Sequence, residues 1–249
     1  MNTLVILSGG LDSTVLAAFL KSPTEGHKVR ALSINYGQRH VRELDSAAQV
    51  AKALGIVHEI ADLSALRPLL SGSSQTDDGV PVPEGHYTAE NMKATVVPNR
   101  NMLLLATGIA RAISSGCSAV AYAAHAGDHA IYPDCRPEFA SAMETAALLC
   151  DFKPIRILRP FVNKTKAALV SLGHVLGAPM HLTWSCYAGK DKHCGRCGTC
   201  VERREAFKLA KVTDPTDWAS DAPALEEMLA KGQTQNERIC SVQPMSGKA

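Results

Sequence analysis

Net charge is almost absent from this 249-residue chain, whose 26 basic residues face 24 acidic ones. Without a large field of one sign, charge alone cannot draw a nucleic acid or an anionic membrane, although a local basic patch stays open. No direct nucleic-acid binding is expected. No window approaches the roughly 20 apolar residues that cross a bilayer, so no membrane partner is expected either. Residues 1–20 are apolar, but they lack a basic start, contain Asp12 and show helical rather than continuous hydrophobicity. A mature, soluble amino terminus is therefore expected rather than a secretory signal. There is no internal repeat and no low-complexity tract.

What is present is a chain 46% hydrophobic, enough for one sizeable core with a small appended module. Eight cysteines would suit a secreted disulfide protein, yet four of them crowd into Cys186–Cys200 while Cys117, Cys135, Cys150 and Cys240 are scattered. That distribution favours a metal in a reducing cytosol, and a cytoplasmic location is expected.

Strand and helix signals alternate. "TLVILS" is a β-favouring apolar run that ends in serine and two glycines, and Val15, Leu16, Phe19 and Leu20 then recur at helical spacing. "KVRALSIN" repeats the strand signal. In "RHVRELDSAAQVAKALG", Val41, Leu44, Ala48, Ala51 and Leu54 share a helical face, with Gly55 as a stop. "IVHEIADL" is a third strand, "RNMLLLATGIARAISSG" a long helix, "SAVAYAA" a fourth strand and "PEFASAMETAALLC" a further helix. Such alternation predicts an α/β fold, a doubly wound, mostly parallel sheet with helices on both faces. Ser64 to Pro98 lacks periodicity and is expected to be a long loop of the kind that serves as a lid. Residues 211–249 read as a polar tail around one helix, Ala222 to Leu229. The expected organisation is a main domain over 1–183 with the lid at 64–98, a metal-binding region over 184–215, and a tail over 216–249.

The turn after the first strand holds the chemistry. In a parallel α/β sheet ligands collect beyond the carboxyl ends of the strands. Free amides at a helix start carry partial positive charge, Gly9 and Gly10 let the backbone approach an anion closely, and Ser8, Ser13 and Thr14 add hydroxyls. The turn lacks the lysine of G-x-x-x-x-G-K-[ST], and it is not the G-x-G-x-x-G of dinucleotide folds. An ordinary turn is the plainer reading. Ser8-Gly9-Gly10-Leu11-Asp12-Ser13, however, matches S-G-G-x-D-S, and so resembles the PP-loop of the ATP pyrophosphatases. The resemblance implies ATP cleaved between its α and β phosphates, with the loop holding pyrophosphate.

"SCYAGKDKHCGRCGTC" spaces Cys186, Cys194, Cys197 and Cys200 as C-x7-C-x2-C-x2-C. Two overlapping C-x-x-C steps bring three sulfurs together, and Cys186 can close a tetrahedron. Four thiolates leave no open position, so a structural zinc is expected; spacing this tight makes unstrained disulfide pairing of all four difficult. His193 could replace one sulfur, but as a fifth candidate it is read as a solvated residue or one packed just outside the ligands, and the scattered cysteines as small buried apolar groups.

Three further segments fall at the carboxyl edge of the inferred sheet: "NYGQRH" (Asn35 to His40), "VPNRN" (Val97 to Asn101) and "HAGDHAIYPDCRPEF" (His125 to Phe139). Each has a plain reading, as a solvated helix start, a helix cap or a turn. With "WSCY" and "CGRCGTCVERREAF", they make the chain similar, from about Leu4 to Pro215, to the 7-cyano-7-deazaguanine synthase family of PP-loop ATP pyrophosphatases. One departure is visible: that family usually shows Lys-x-Glu near Lys166, where this chain has Lys166-Ala167-Ala168.

The resemblance implies an adenine nucleotide alpha hydrolase-like fold and a ligase that turns 7-carboxy-7-deazaguanine, ammonia and ATP into the 7-nitrile through adenylated acid and amide. It implies a nucleotide-binding segment of Leu7, Ser8, Gly9, Gly10, Leu11, Asp12, Ser13, Thr14, Val15, Leu16 and Ala17. Magnesium should bridge the phosphates. Ser13, Asp12, Arg100 and Lys166 are the candidate catalytic residues, with Arg136 as a further cation for anionic groups. Arg39, Asn99, Asn101, Asp128 and Asp134 are candidates for binding the deazapurine, the two aspartates either orienting its edge or holding magnesium. The expected partners are the deazapurine, ATP and ammonia, and the expected assembly is a homodimer. Rival readings are a variant that stops at the amide, a tRNA-thiolating PP-loop enzyme, and a zinc-stabilised protein that only senses ATP or tRNA.

Overall fold

A computed structural model describes residues 1–86, 91–128, 132–188 and 191–230. Five parallel strands, β1 (Asn2–Ile6), β2 (Lys28–Asn35), β3 (Val57–Asp62), β4 (Ala119–Ala121) and β5 (Arg156–Leu158), form one sheet in the order β3-β2-β1-β4-β5. The helices are α1 (Leu11–Lys21), α2 (Arg42–Ala53), α3 (Arg100–Ser114), α4 (Pro137–Leu149), α5 (Lys166–Val175) and α6 (Gly198–Ala210).

The central strand is apolar at every position after Thr3 because both faces of the sheet are covered. Leu4 and Ile6 pack in one cluster with Leu105 and Ile109 of α3 and Met143 of α4. Val5 and Leu7 point the other way, toward Val15 and Leu16 of α1, Ala47 and Val50 of α2, Leu169 of α5 and Phe207 of α6. Burying a side chain of this size contributes about 1.5 to 3 kcal/mol. The doubly wound α/β fold is thus as expected.

Elements built from few residues, or set by distant partners, were not legible in advance. β5 is three residues long, too short to show a period. α6 grows directly out of the cysteine segment, with Cys197 at its N-cap. Its Ala206 and Phe207 belong to the main core, so the cysteine segment is joined to the sheet domain through that helix. In the tail the helix starts at 225 rather than at Ala222. Ala222 is held in a turn by the Ala219 carbonyl, and the Pro223 carbonyl accepts from Arg204 Nη1 at 2.7 Å. The rest of the expected tail, 231–249, lies outside the described residues, as do 87–90 of the expected lid and 129–131 of the His125 to Phe139 segment.

The 64–98 segment, expected as a long loop, contains two short 3-10 turns, Ser64–Leu70 and Asn91–Thr95. Ser73, Ser74, Gln75 and Thr76 are no more than 3% exposed. Their polarity hid this: Ser73 Oγ accepts from Gln75 N and the Thr76 hydroxyl donates to the Leu70 carbonyl, the Ser73 carbonyl accepts from Thr76 N and Asp77 N, and Ser74 N donates to the Ala94 carbonyl, while the Ser74 hydroxyl and the Gln75 amide are buried without a partner among the described residues. Further along, Gly85 N donates to the Arg196 carbonyl at 2.8 Å, and His86 Nε2 lies 3.1 Å from Glu205 Oε2 of α6.

Candidate functional site

In the order β3-β2-β1-β4-β5 the chain leaves β1 toward one side of the sheet and later returns to build the other side. The connections beyond β1 and β4 therefore diverge and open a crevice, the place where such sheets bind ligands. A cavity occupies it. Its walls are Ser8, Gly10, Asp12 and Ser13 after β1, Tyr36, His40 and Glu43 after β2, Tyr122 to Ala124 after β4, and residues of α3, α5 and α6.

The turn is ordered by its own hydroxyls. Ser13 Oγ accepts from Ser8 N at 3.2 Å and donates to the Gly10 carbonyl at 3.2 Å, and it lies 3.0 Å from Ser8 Oγ. Gly9 has φ +87, and a β-carbon on it would sit 2.0 Å from the Glu43 carbonyl oxygen of α2. Its carbonyl accepts from Trp184 N at 2.9 Å. Glycine is demanded here by both backbone angle and close approach. Gly10, the N-cap of α1, has an ordinary φ of −76. Thr14 is fully buried and its hydroxyl has no partner among the described residues, so it does not face the cavity as the sequence suggested.

Lys166, at the first position of α5, lies 3.2 Å from Asp12 Oδ2 and 2.8 Å from Glu202 Oε2. Burial works to raise the Asp12 pKa, but the Lys166 ammonium, with His125 and Arg203 behind it, more than offsets this and holds the carboxyl below its ordinary range. Burial works to lower the Lys166 pKa, and Asp12, Glu202 and Asp128 together outweigh it, so Lys166 is held above its ordinary range. Asp128 shows the reverse balance: burial pushes its carboxyl up, and the negative Glu202 and Asp12 add to the effect against His125 and Lys166. Asp12 Oδ1 is buried with no hydrogen-bond partner among the described residues.

On the opposite wall the Arg100 guanidinium sits beside the Tyr36 hydroxyl and 5.7 Å from the Tyr132 ring centroid. Tyr187 and Cys135 are its other neighbours, and no carboxylate forms an ion pair with it among the described residues. His40 stacks on Tyr187 with centroids 5.0 Å apart and pairs with Glu43 at 3.2 Å. The Tyr122 hydroxyl, also on the lining, is buried without a partner among the described residues.

Of the expected site residues, the structure gathers Ser8, Gly10, Leu11, Asp12, Ser13, Arg100, Asn101, Asp128 and Lys166 on the cavity wall. Leu7, Val15, Leu16 and Ala17 are 0% exposed and pack in the core beneath the turn. Arg39 turns away: its guanidinium donates to Asp78 Oδ1 at 3.1 Å, the Asp77 carbonyl at 3.2 Å and the Val80 carbonyl at 3.4 Å, which fastens the 64–98 segment to the end of β2. Asn99 is exposed in the left-handed region, with φ 55, at the start of α3. Asp134 accepts from Asn101 N at 3.0 Å and Asn101 Nδ2 donates to the Asp134 carbonyl at 3.1 Å, so this pair secures the start of α3. Asp134 and Arg136 are not on the cavity wall. Ala168, where a carboxylate was missed, is exposed in the first turn of α5, its N donating to Thr165 Oγ1.

Glu202 supplies a carboxylate to Lys166 and was not anticipated. The available signal was helical spacing, since Thr199 and Glu202 stand three apart on α6 and both line the cavity. The adjacent Arg203 is fully buried, binding Asp214 at 3.2 Å, Thr183 Oγ1 at 2.7 Å and Ser185 Oγ at 3.2 Å, and so fixes the strand of chain at the cavity rim.

The Sγ atoms of Cys186, Cys194, Cys197 and Cys200 all lie within 4.8 Å of one another, and none is in a disulfide. Cys194 and Cys200 are 3.9 Å apart, close to the edge of about 3.8 Å expected of a tetrahedron with metal–sulfur bonds of ~2.3 Å. The four cysteines can therefore hold a metal ion. His193 is buried rather than solvated, between Trp184 and Trp218 with centroids 4.2 and 5.6 Å away. Burial pushes its pKa down to about 4, and its Nε2 accepts from Ser185 N at 3.1 Å. Cys135 is buried, and burial pushes its thiol well up, which suits a packing role.

The model of the queuosine biosynthesis protein QueC family matches residues 2–211. A Marinobacter nauticus protein named 7-cyano-7-deazaguanine synthase is 52% identical over 214 residues, 86% of this chain and 96% of its own. One from Brucella ovis with the same name is 51% identical over 220 residues, 88% of this chain and 94% of its own. Among solved structures, the U34-tRNA thiolase NcsA from Methanococcus maripaludis, with its [4Fe-4S] cluster, aligns with 100% of this chain and 74% of its own at TM-score 0.47 and 14% identity. The matched stretch contains the glycine turn, the cysteine cluster and every residue of the cavity wall, and the chain belongs to the QueC family of queuosine biosynthesis proteins.

Proposed function

We propose that this protein is an ATP-dependent ligase that converts 7-carboxy-7-deazaguanine and ammonia into 7-cyano-7-deazaguanine, releasing AMP and pyrophosphate twice. The observation that carries this reading is the family match over 2–211, which spans the entire cavity wall. A carboxylate resists ammonia because it is anionic and would have to expel oxide. Adenylation removes both obstacles. The acid oxygen attacks the α phosphorus, pyrophosphate departs into the turn, and ammonia displaces AMP to leave the amide. The amide oxygen is then adenylated in its turn, and loss of AMP yields the nitrile.

The turn of Ser8 to Ser13 receives the departing pyrophosphate through backbone amides and hydroxyls. Lys166 and Arg100 meet negative charge from opposite walls, and Arg100 is suited to it because no carboxylate engages it among the described residues. Asp12 Oδ1, buried and without a partner, fits magnesium, which when bound supplies neutralising charge to the phosphates. The four thiolates fit zinc in a closed, structural site that holds the start of α6. A homodimer is the assembly we assign. The relatives at 51–52% identity carry the name of the nitrile-forming synthase, which speaks against a variant that stops at the amide.

The test is incubation of the purified protein with ATP, magnesium, ammonium and 7-carboxy-7-deazaguanine. Nitrile and AMP in the product mixture support the reading; orthophosphate and ADP, or amide that never proceeds, contradict it.

A further inference from the structure

The proposed reaction releases protons from nitrogen. When ammonia adds to the acyl adenylate, the C–N bond forms, the C–O bond to AMP breaks, and nitrogen must shed one proton. When the adenylated amide becomes the nitrile, its former carbonyl oxygen leaves on AMP and nitrogen sheds two more. The adenylation before each step needs no acceptor, because the attacking acid or amide oxygen carries no proton. Resting on the function proposed above, an enzyme of this kind requires a base for the nitrogen steps alone.

Most acidic groups on the wall are committed elsewhere. Asp12 and Glu202 both hold Lys166, and Glu43 is paired with His40. Asp128 differs: the imidazole of His125 is the sole basic side chain within 4.0 Å of its carboxylate among the described residues, with Nε2 3.6 Å from Oδ2. We propose that Asp128 is the catalytic base that accepts the nitrogen protons in both steps, and that His125 is the residue that positions it.

The local geometry fits the two roles. His125 is 1% exposed, and its Nδ1 accepts from Gly127 N at 3.1 Å. An accepting Nδ1 leaves the ring hydrogen on Nε2, which points between Asp12 Oδ2 at 3.7 Å and Asp128 Oδ2 at 3.6 Å. Gly127 is required for this, since a β-carbon there would lie 2.9 Å from His125 Cε1. The short 3-10 turn Ala126–Asp128 is anchored at one end by Ala126 N on the Lys164 carbonyl and at the other by Tyr132 N on the Asp128 carbonyl. The groups facing the carboxylate are Asp12 from α1, Lys166 from α5, Glu202 from α6 and His125 from its own turn. The Asp128 side chain is 25% exposed, so it can return each proton to solvent before the next.

Asp128→Asn separates the stages. In the variant, acid-dependent exchange of labelled pyrophosphate into ATP should fall far less than the nitrogen steps do. Amide formation from the acid, and nitrile formation from supplied amide, should each fall by about 100-fold or more. Asp128→Glu, which keeps an acceptor one methylene away, should recover part of both rates and covers the case in which Asp128→Asn folds poorly. Exchange lost in parallel with the nitrogen steps, or nitrile formed at near-parental rate, would overturn the role. A parent enzyme that performs no exchange with this acid would instead sink the functional reading, and this role with it. For His125, His125→Phe should move the acid limb of the nitrile-forming pH profile to higher pH while exchange holds, and His125→Gln should bring the limb part of the way back; an unmoved limb would refute the positioning role.

Discussion

The Lys166 ammonium lies 2.8 Å from Glu202 Oε2, which ties the first turn of α5 to the helix that grows from the cysteine cluster. Because the same ammonium reaches Asp12 Oδ2 at 3.2 Å, one cation joins the glycine turn, α5 and α6 at the cavity floor. Lys166→Met would leave two buried carboxylates side by side without their cation. The expected loss is about 3 to 5 kcal/mol in urea unfolding at neutral pH. The signs are set by the two shifts. Asp12 is held below the ordinary aspartate value of 3.8, so its contribution is present above that pH and is lost as pH falls through the lower folded value. Lys166 is held above 10.5, so its contribution is present below that pH and is lost as pH rises through the higher folded value. The parent should therefore gain stability over the variant most in the broad neutral range, and the difference should shrink at acid pH.

Arg100→Met should act differently. No carboxylate is stranded by it, so the melting temperature should change little while acid-dependent pyrophosphate exchange falls by about 100-fold or more. A large drop in stability with exchange intact would place Arg100 in the scaffold instead.

Gly9→Ala tests the close approach of α2 to the turn. Its β-carbon would enter the Glu43 carbonyl at 2.0 Å, and the left-handed backbone adds about 1 to 2 kcal/mol of strain. Expected are a lower melting temperature and weakened ATP binding by calorimetry. Gly10→Ala, whose nearest obstacle is Ser8 Oγ at 3.2 Å with an ordinary φ, should fold far better.

Cys197→Ser should lower the metal content measured by elemental analysis, where one equivalent of zinc per chain is the expectation for the parent, and destabilise the start of α6, for which this residue is the N-cap. Cys150→Ser, at an exposed position, should leave both metal content and melting temperature unchanged.

Arg203→Met removes a fully buried guanidinium from Asp214 and from the hydroxyls of Thr183 and Ser185. Leaving Asp214 without its cation, held among the described residues by Thr216 N and Oγ1 alone, should cost about 3 to 5 kcal/mol, read by denaturant unfolding. Arg203→Lys should recover only part of it, because an ammonium cannot reproduce the planar fork.

Sequence alone determined the parts whose causes are local. The turn at Ser8 to Ser13 is closed by hydroxyls and amides within six residues, and the four cysteines need only a short loop to converge, so residue type and spacing sufficed for both. The alternating strands and helices were legible for the same reason, since each carries its own period. Tertiary structure alone decided where side chains near the site point. Arg39 follows β2 toward the cavity edge but bends to Asp77 and Asp78, Asp134 serves the start of α3, and Glu202, distant in sequence from Asp12, meets the same ammonium. Those outcomes depend on how α5 and α6 dock on the sheet and on how the 64–98 segment folds back, and a side chain's partner is fixed only when the element opposite it has been put in place.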